Sequence, residues 1–529
     1  MPLPDRSTPW PPPRQAARLE RLREYDAWYA GDPERLSQVM AGRRDATSTP
    51  RNRPSQMRGG VVGAVSRFFW GQPIPPGEKR SKTHVPLPAD IATASADLLF
   101  AAPPTIRFAK AENTKRWEQL DDAMRLRSRL HEAAEIASPY SGVYLRVDWD
   151  QDVAAYPLPI AVHADHADPT WRSGKLQAVT FWEDLTVDGA THWRYLQRHE
   201  MQHDDAGHPT TAITFNGLYK GTADSLGEPQ ALEAHEHTRG LEPAVDIGLP
   251  MLPVVWIPNM LPSREDRTAP GRSDFESVTP LFDNLDEVYT SLLRDIRLAK
   301  ARIIVPSAYL TSLGPGRGAE FDVEREAYEQ LNVPPTNDKV GITLQQFSIR
   351  IDEHEKAMLR ITRTAVSTAG YSASTFGLDE SGGQMTATEV DDRRDRTLLT
   401  RAKKTAYWGE GIRELAAIIL AVDRLVFGRT EVDPADPASV DWPPGESPDQ
   451  LKLAQTVQAW DVARAASTEV KVRAIHPDWD DTRVNAEVAR IRDEEGATTA
   501  DPEQMLRNTA AIGRTSNPPE VKDDEPADE

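Results

Sequence analysis

Residues 371–390 read YSASTFGLDESGGQMTATEV and join a loop rich in Gly and Ser to the start of a very long helical pattern. Thr386 and Glu389 have the spacing of a capping box, in which a hydroxyl and a carboxylate each satisfy a backbone N–H of the first turn. The spacing therefore predicts a helix that begins at Thr386. Gly428, a residue type that readily takes the left-handed conformation, marks the predicted end.

The first half of this long helix carries basic side chains interleaved with aspartates. Such mixing is typical of a helix face that contacts solvent or another subunit, although a face turned towards nucleic acid is also consistent with it. We predict that the basic residues form a charge stripe between subunits, made of Arg393, Arg394, Arg396, Arg401, Lys403 and Lys404.

A second amphipathic pattern precedes the loop. Thr279-Pro280 is a typical helix start, and apolar residues follow at intervals of three and four as far as Ile303. Helical character resumes over 347–370, so two helices enclose an irregular insert, 304–346, in which we find no strong β-hairpin signal. The predicted packing stripe of the first helix consists of Leu281, Leu285, Val288, Leu292, Ile296 and Ile303.

The rest of the chain predicts an α+β protein that is mainly helical. With 529 residues, it is long enough for two to four domains. A Pro-rich segment, 1–13, precedes an α/β region, 14–278, in which short alternating runs from Gly142 to Asn259 predict a β-rich lobe. Three helices are predicted before this lobe, namely Arg14 to Ala30, ended by Gly31, then Pro88 to Phe100, and Asn113 to Ser138. Helical segments follow over 429–505, and we expect the acidic tail, 506–529, to be disordered.

Motifs for catalysis are not found in the sequence. The chain has no Cys, and its Gly-rich segments lack the Gly-Lys-Ser/Thr of a phosphate loop. His163 and His166, or His235 and His237, could each offer two imidazoles to a metal, but such pairs are usually surface residues. We therefore expect no enzyme activity, no metal and no cofactor. The sequence has neither a signal peptide nor a membrane span, so we also expect a soluble, unexported protein.

A net charge of −20 argues against a protein that wraps nucleic acid, because phosphate binding requires an excess of Lys and Arg. The same charge is compatible with a surface past which DNA slides, because an acidic wall repels phosphates. The loop at 371–385 contains Asp379 and Glu380 but neither Lys nor Arg, so a basic loop that grips DNA is not predicted.

The order of these elements resembles that of the portal proteins of tailed bacteriophages, especially siphophages of actinobacteria. Residues 280–302, PLFDNLDEVYTSLLRDIRLAKAR, resemble the first stem helix of that family, and 381–390 resemble the junction of its tunnel loop and long helix. Residues 472–480, VRAIHPDWD, and 487–491, EVARI, are similar to its C-terminal segments.

The resemblance implies a portal fold with defined regions. The wing would comprise 14–278 and the long helix 386–428, and the stem would comprise 279–303 and 347–370. The clip would be 304–346, the tunnel loop 371–385 and the crown 429–505. The tunnel-loop residues that would line a DNA channel are Tyr371, Ser372, Ser374, Thr375, Phe376, Asp379, Glu380, Ser381, Gly382, Gly383 and Gln384.

The resemblance also implies an assembly and its partners. Portal proteins form a dodecameric ring at one capsid vertex, through which the terminase motor drives double-stranded DNA. The implied partners are further copies of the chain, the terminase large subunit, the major capsid protein and scaffold, a head–tail adaptor protein and DNA without sequence specificity, but no membrane. The protein would assemble in the host cytoplasm and remain in the virion. Two alternatives stay open, namely another oligomeric connector or tail protein, and a hydrolase acting on nucleic acid.

Overall fold

The computed structural model describes most of the chain as two compact units, 1–443 and 444–529. The described residues are 3–5, 7–39, 82–265, 270–298, 302–304, 311–312, 319–320, 343–345, 350–378, 387–443, 457–476, 479 and 481–498.

Among the described residues of the first unit, four α-helices precede the β lobe. Helix α1 (Ala16–Ala30) ends at Gly31, as the sequence predicts, and the φ of +65° at Gly31 is the left-handed conformation common at helix ends. The single helix predicted over 113–138 is wrong, because Arg125 takes a φ of 51° and divides it. This break lets Met124 and Leu126, on either side of it, both be buried in the core. The helices are α1 (Ala16–Ala30), α2 (Leu87–Phe100), α3 (Ala111–Met124) and α4 (Leu126–Ala137).

The predicted β-rich lobe consists of two antiparallel sheets. The strands of the lobe are β2 (Gly142–Asp148), β3 (Leu158–His163), β4 (Ala167–Arg172), β5 (Lys175–Asp188), β6 (Thr191–His203), β7 (Pro209–Thr222), β8 (Ser225–Gln230), β9 (Ala244–Leu249) and β10 (Val254–Pro258). The larger sheet has six strands in the order β4-β5-β6-β7-β8, with β9 paired to β7, and the smaller sheet has the order β10-β2-β3.

A helix of 39 residues, α7 (Ala387–Leu425), crosses the core of the first unit. Most residues of its second half are buried, including Trp408, Ile412 and Ile419. A Cβ built on Gly411 would lie 2.5 Å from the side chain of Ile257, so the helix packs directly on β10. Gly428 has a φ of +69° just past the helix end, as predicted, whereas Thr386 lies outside the described residues.

The two helices around the insert pack against each other. They are α5 (Thr279–Leu298) and α6 (Ile351–Ala369), both shorter than predicted. The predicted helix to residue 303 is wrong, because Ile303 lies in strand β11 (Arg302–Ile304), which pairs with β14 (Thr343–Gln345). Two consecutive isoleucines, Ile303 and Ile304, favour an extended chain over a helix. A second short ladder joins β12 (Thr311–Ser312) to β13 (Ala319–Glu320), so antiparallel pairing does occur in the insert.

The first unit extends beyond the long helix. Strand β15 (Ser439–Asp441) pairs with β1 (Thr105–Arg107), so 429–443 belongs to this unit rather than to a separate C-terminal region. The second unit contains α8 (Thr468–Ile475) and α9 (Asp481–Thr498) around a small core of Val472, Val484 and Val488. The acidic tail, 506–529, lies outside the described residues, and its predicted disorder stays a prediction.

Candidate functional site

The first eight residues of the predicted tunnel loop form an ordered segment, Tyr371–Leu378, that we call the loop base. Helix α6 ends at Gly370, whose φ is +107°, and the backbone N–H of Tyr371 donates to the carbonyl of Val366. A 3-10 turn, Ala373–Phe376, follows and ends at Gly377 with a φ of +66°. Glycine suits both positions because a side chain is strained at positive φ. The later loop residues Asp379, Glu380, Ser381, Gly382, Gly383 and Gln384 lie outside the described residues.

One face of α7 holds the loop base through side-chain hydroxyls. Thr397 Oγ1 accepts a 2.8 Å hydrogen bond from the backbone N–H of Ser372 and lies 2.9 Å from the hydroxyl of Thr375. Thr400 donates to the carbonyl of Gly370 at 2.6 Å. Residues 397, 400 and 404 share a helix face because they are spaced by three and four.

Lys404 is the third member of this face, and its side chain lies in the interior of the unit. It is 1% exposed, and its ammonium group forms an ion pair of 2.7 Å with Asp274, which is 3% exposed. The carboxylate of Asp274 also accepts hydrogen bonds from the hydroxyls of Ser138 and Tyr371, each at 2.8 Å. We call the group around Nζ the Lys404 cluster, which consists of Lys404 with Ser95 at 2.6 Å, Asn259 at 2.7 Å, Asp274 at 2.7 Å and Tyr371 at 2.9 Å.

Burial controls the titration of this cluster. It lowers the pKa of Lys404 below the usual 10.5, while the neighbouring Asp274 carboxylate acts in the opposite direction. It also raises the pKa of Tyr371 well above its usual value of 10. Tyr371 is therefore neutral at physiological pH, and its hydroxyl can donate to Asp274. The arrangement binds groups of the chain to one another and presents no nucleophile to solvent.

The structure corrects part of the predicted tunnel-loop set. Tyr371 is fully buried and Ser372 is 6% exposed, so their side chains cannot line a channel, and the prediction is wrong for both. Thr375 is exposed, and Ser374 and Phe376 are half-buried, so these three stay predictions. Ser95, Asn259 and Asp274 were not predicted from the sequence, because nothing in their local pattern marks them as partners of Lys404, which lies 130 to 309 positions further along the chain.

The residues of the predicted charge stripe differ in their surroundings, and only some of them are exposed. Lys404 does not belong to it, because its partners are buried within the same subunit. Arg401 donates to the backbone carbonyls of Leu98 and Pro443, so it too is engaged within the unit. Arg396 and Lys403 are exposed and keep the predicted role, although Arg396 also donates to Ser367. The backbones of Arg393 and Arg394 lie in α7, but their side chains are outside the described part of the chain.

The apolar stripe of α5 changes from buried to exposed along the helix. Leu285 is 3% exposed, whereas Ile296 is 45% exposed. Leu281, Val288 and Leu292 are half-buried. Near the end of the helix, Asp295 binds His354 of α6 at 3.1 Å and Arg350, the residue before α6, at 3.2 Å. The predicted stripe is thus shared between the subunit core and a surface left uncovered in one copy.

Four histidines of the β lobe line a cleft between the two sheets, which has a volume of about 710 Å³. His163, His166, His199 and His237 are among its lining residues. In the part of the chain that the structure describes, no three His, Asp or Glu side chains are grouped as a metal site would require. No helix among the described residues has both the length and the apolar character needed to cross a bilayer.

Comparison with known proteins identifies one family. The family described as "Phage portal protein, SPP1 Gp6-like" matches residues 12–500. None of the curated proteins matches the sequence. Among solved structures, the chain is similar to one in "Neck of empty GTA particle computed with C6 symmetry", at 11% identity and a TM-score of 0.39, covering 83% of this chain and 98% of the other. It is also similar to one in "Virion of native gene transfer agent (GTA) particle", at 12% identity and a TM-score of 0.34, covering 78% and 99%.

Proposed function

The chain belongs to the SPP1 Gp6-like phage portal protein family, and from this premise we propose that it forms the channel at one capsid vertex through which double-stranded DNA is packaged and later ejected. Its portal function follows from the family match over residues 12–500, which is the observation that carries the proposal. Membership also implies a homo-oligomeric ring in a virion.

The ring contains twelve copies, joined in part through the exposed apolar end of α5. Ile296 is 45% exposed and Ile351, at the start of α6, is 44% exposed in a single copy. Large apolar side chains that are exposed on both members of a helix pair are typical of a surface that another subunit covers. We therefore place a subunit contact at this end of the helix pair, with Arg396 and Lys403 of α7 contributing charge contacts.

The tunnel loop extends from the loop base, which is held in place by hydrogen bonds. Its base, Tyr371–Leu378, is tied to α7 by Thr397 and Thr400, and Arg363 of α6 donates to the carbonyl of Leu378 at 2.7 Å. Residues 379–385 therefore start from a defined point on the subunit, and we propose that they line the narrowest part of the channel. The acidic chain, with its net charge of −20, repels the phosphates so that the duplex slides.

The portal family is structural, and we propose that this chain has no enzymatic activity of its own. The terminase large subunit supplies the motor during packaging. The major capsid protein and scaffold surround the ring during assembly in the host cytoplasm, and a head–tail adaptor protein binds it after packaging. No residue of the Lys404 cluster is offered to a substrate, which supports this division of roles.

Removing residues 379–385, the tip of the tunnel loop, tests whether the loop lines the channel. Deletion of residues 379–385 leaves the loop base and its contacts with α7 in place, so the ring is expected to assemble normally. We expect fewer DNA-filled particles, or loss of DNA from filled ones. A variant with 379–385 replaced by Gly and Ser at the same length is the matched control for chain connectivity. Normal yields of filled, infectious particles from the deletion would contradict a channel role.

A further inference from the structure

The Lys404 cluster joins elements that are far apart in the sequence. Ser95 belongs to α2, Asn259 follows β10, Asp274 precedes α5, and Tyr371 is the second residue after α6. All four direct an oxygen towards the Nζ atom of Lys404, each within 2.9 Å. The cluster is therefore the point at which the helix pair, the β lobe and the long helix are bonded to the start of the loop.

A buried ion pair is a weak source of stability, because removing both charges from water costs about as much as their attraction returns. Apolar residues of similar volume would fill the same space at least as well. The pair instead fixes the positions of the groups that bind to it, since hydrogen bonds to a charged group require short distances and a defined geometry. The hydroxyl of Tyr371 accepts from Lys404 at 2.9 Å and donates to Asp274 at 2.8 Å, so two hydrogen bonds to charged groups hold it in one position.

We propose that Lys404 and Asp274 are positioning residues that hold the base of the tunnel loop in one place through the hydroxyl of Tyr371. They touch neither DNA nor a neighbouring subunit, and they act through Tyr371. The part of the proposal that concerns DNA rests on the proposed channel function of the loop. The anchoring itself does not depend on that function.

The geometry separates this anchor from the capping of α6. The backbone N–H of Tyr371 caps the helix by bonding to Val366, whereas the side chain alone reaches the cluster. Loss of the hydroxyl therefore releases the side chain while the helix end is kept. In Tyr371→Phe, the carboxylate of Asp274 retains hydrogen bonds from Ser138 and Asn259 as well as its ion pair with Lys404.

Hydrogen exchange of the purified full-length protein tests the anchor. In Tyr371→Phe and in the double variant Asp274→Asn/Lys404→Met, we expect amide exchange in 372–378 to rise about tenfold or more, the effect of losing roughly 1.4 kcal/mol of local protection. Exchange in the buried half of α7, 412–422, is expected to stay unchanged. Lys115→Met, at an exposed lysine of α3, is the control and should leave both segments unaffected.

The double variant is included because Lys404→Met alone leaves the buried carboxylate of Asp274 without its cation and can unfold the protein. Exchange in 372–378 that stays at the wild-type rate in both variants would overturn the proposal. An equal rise in 372–378 and 412–422 would also overturn it, because the cluster would then stabilise the fold in general and not position the loop.

Virions made with Tyr371→Phe separate the anchor from the channel. If exchange rises in 372–378 and packaged DNA is also retained less well, both the anchor and the channel role of the loop are supported. If exchange rises while packaging and retention stay normal, the anchor stands and the proposed channel function of the loop is contradicted.

Discussion

Two glycines of the long helix provide a matched test of how closely it packs. A Cβ on Gly411 would meet Ile257 at 2.5 Å, whereas the nearest atom to a Cβ on Gly409 is the indole nitrogen of Trp442 at 3.4 Å. Replacing a helical Gly with Ala stabilises a helix by about 1 kcal/mol, while overpacking costs about 1–3 kcal/mol. We expect Gly409→Ala to raise the free energy of unfolding slightly and Gly411→Ala to lower it by about 1 kcal/mol.

Urea unfolding measures the free energy of unfolding of both variants. Adding Ile257→Val to Gly411→Ala should recover part of the loss, because Val removes the Cδ1 atom that the new methyl group meets. If Gly411→Ala proves as stable as Gly409→Ala, the helix does not lie against β10 as the structure has it.

The ion pair between Arg116 and Asp423 links α3 to the long helix. Asp423 is fully buried, and Arg116 donates to both of its carboxylate oxygens at 2.8 Å. Arg116→Met leaves the buried carboxylate without a cation, and we expect a loss of about 3 kcal/mol in the free energy of unfolding. This is the lower end of the usual range, since the side chain of Arg116 is still 14% exposed.

Lys110 is the control for that variant. It pairs with Asp433 at 2.5 Å on the surface, with 54% of its side chain exposed, so Lys110→Met should leave the unfolding curve unchanged. Equal effects of the two substitutions would show that the long helix does not depend on the buried pair.

The burial of Lys404 could not be predicted from the sequence. Its neighbours Arg401 and Lys403 are also basic, and the run is mixed with acidic residues, so the pattern favours a surface position. The burial of Lys404 depends on Asp274, a residue 130 positions earlier in the chain. No local period encodes such a pair, so the cluster could be found only once the chain was folded.

The ion pairs of Asp295 give the α5–α6 pair a dependence on pH. Hydrogen bonds from His354, and then from Arg350, lower the pKa of Asp295 below its usual 3.8. The unfolded chain thus binds this proton more readily than the folded chain. The stabilisation is complete above pH 3.8 and is lost as the pH falls through the pKa of the folded state.

We expect Asp295→Asn to lower the melting temperature slightly at neutral pH, because exposed pairs contribute about 0–1 kcal/mol. The difference from wild type should disappear as the pH falls below 3.8. Asp352→Asn, at an exposed position on α6, is the control and should show no such pattern. A difference that persists unchanged at low pH would mean that the carboxylate does not join the two helices.

Elements with strong periodicity were predicted well. The β lobe, helices α1 and α2 and the long helix were confirmed, because each has a repeated apolar pattern or a clear end signal such as Gly31 or Gly428. The wrong predictions concern places where one residue, or a strand of only two or three residues, determines the path of the chain. Arg125 takes a left-handed conformation that is unusual for Arg, and the strands of the insert have only two or three residues, too few to show a period.

At the scale of the whole molecule, two substitutions on α5 separate folding from assembly. Leu285→Asp would bury an unpaired charge in the subunit core and should prevent folding. Ile296 is 45% exposed, so Ile296→Asp should leave the subunit folded while weakening the ring. Circular dichroism measures the first effect and light scattering the second. Normal rings from Ile296→Asp would remove this end of α5 from the subunit contact.

The central claim is that this acidic chain assembles into a closed ring with an axial channel. Class-averaged electron microscopy of the purified full-length protein, with particle mass measured by light scattering, tests it most directly. We predict ring-shaped particles of about twelve copies with a central opening wide enough for a DNA duplex. A monomer at every protein and salt concentration, or a closed particle without an opening, would contradict the account.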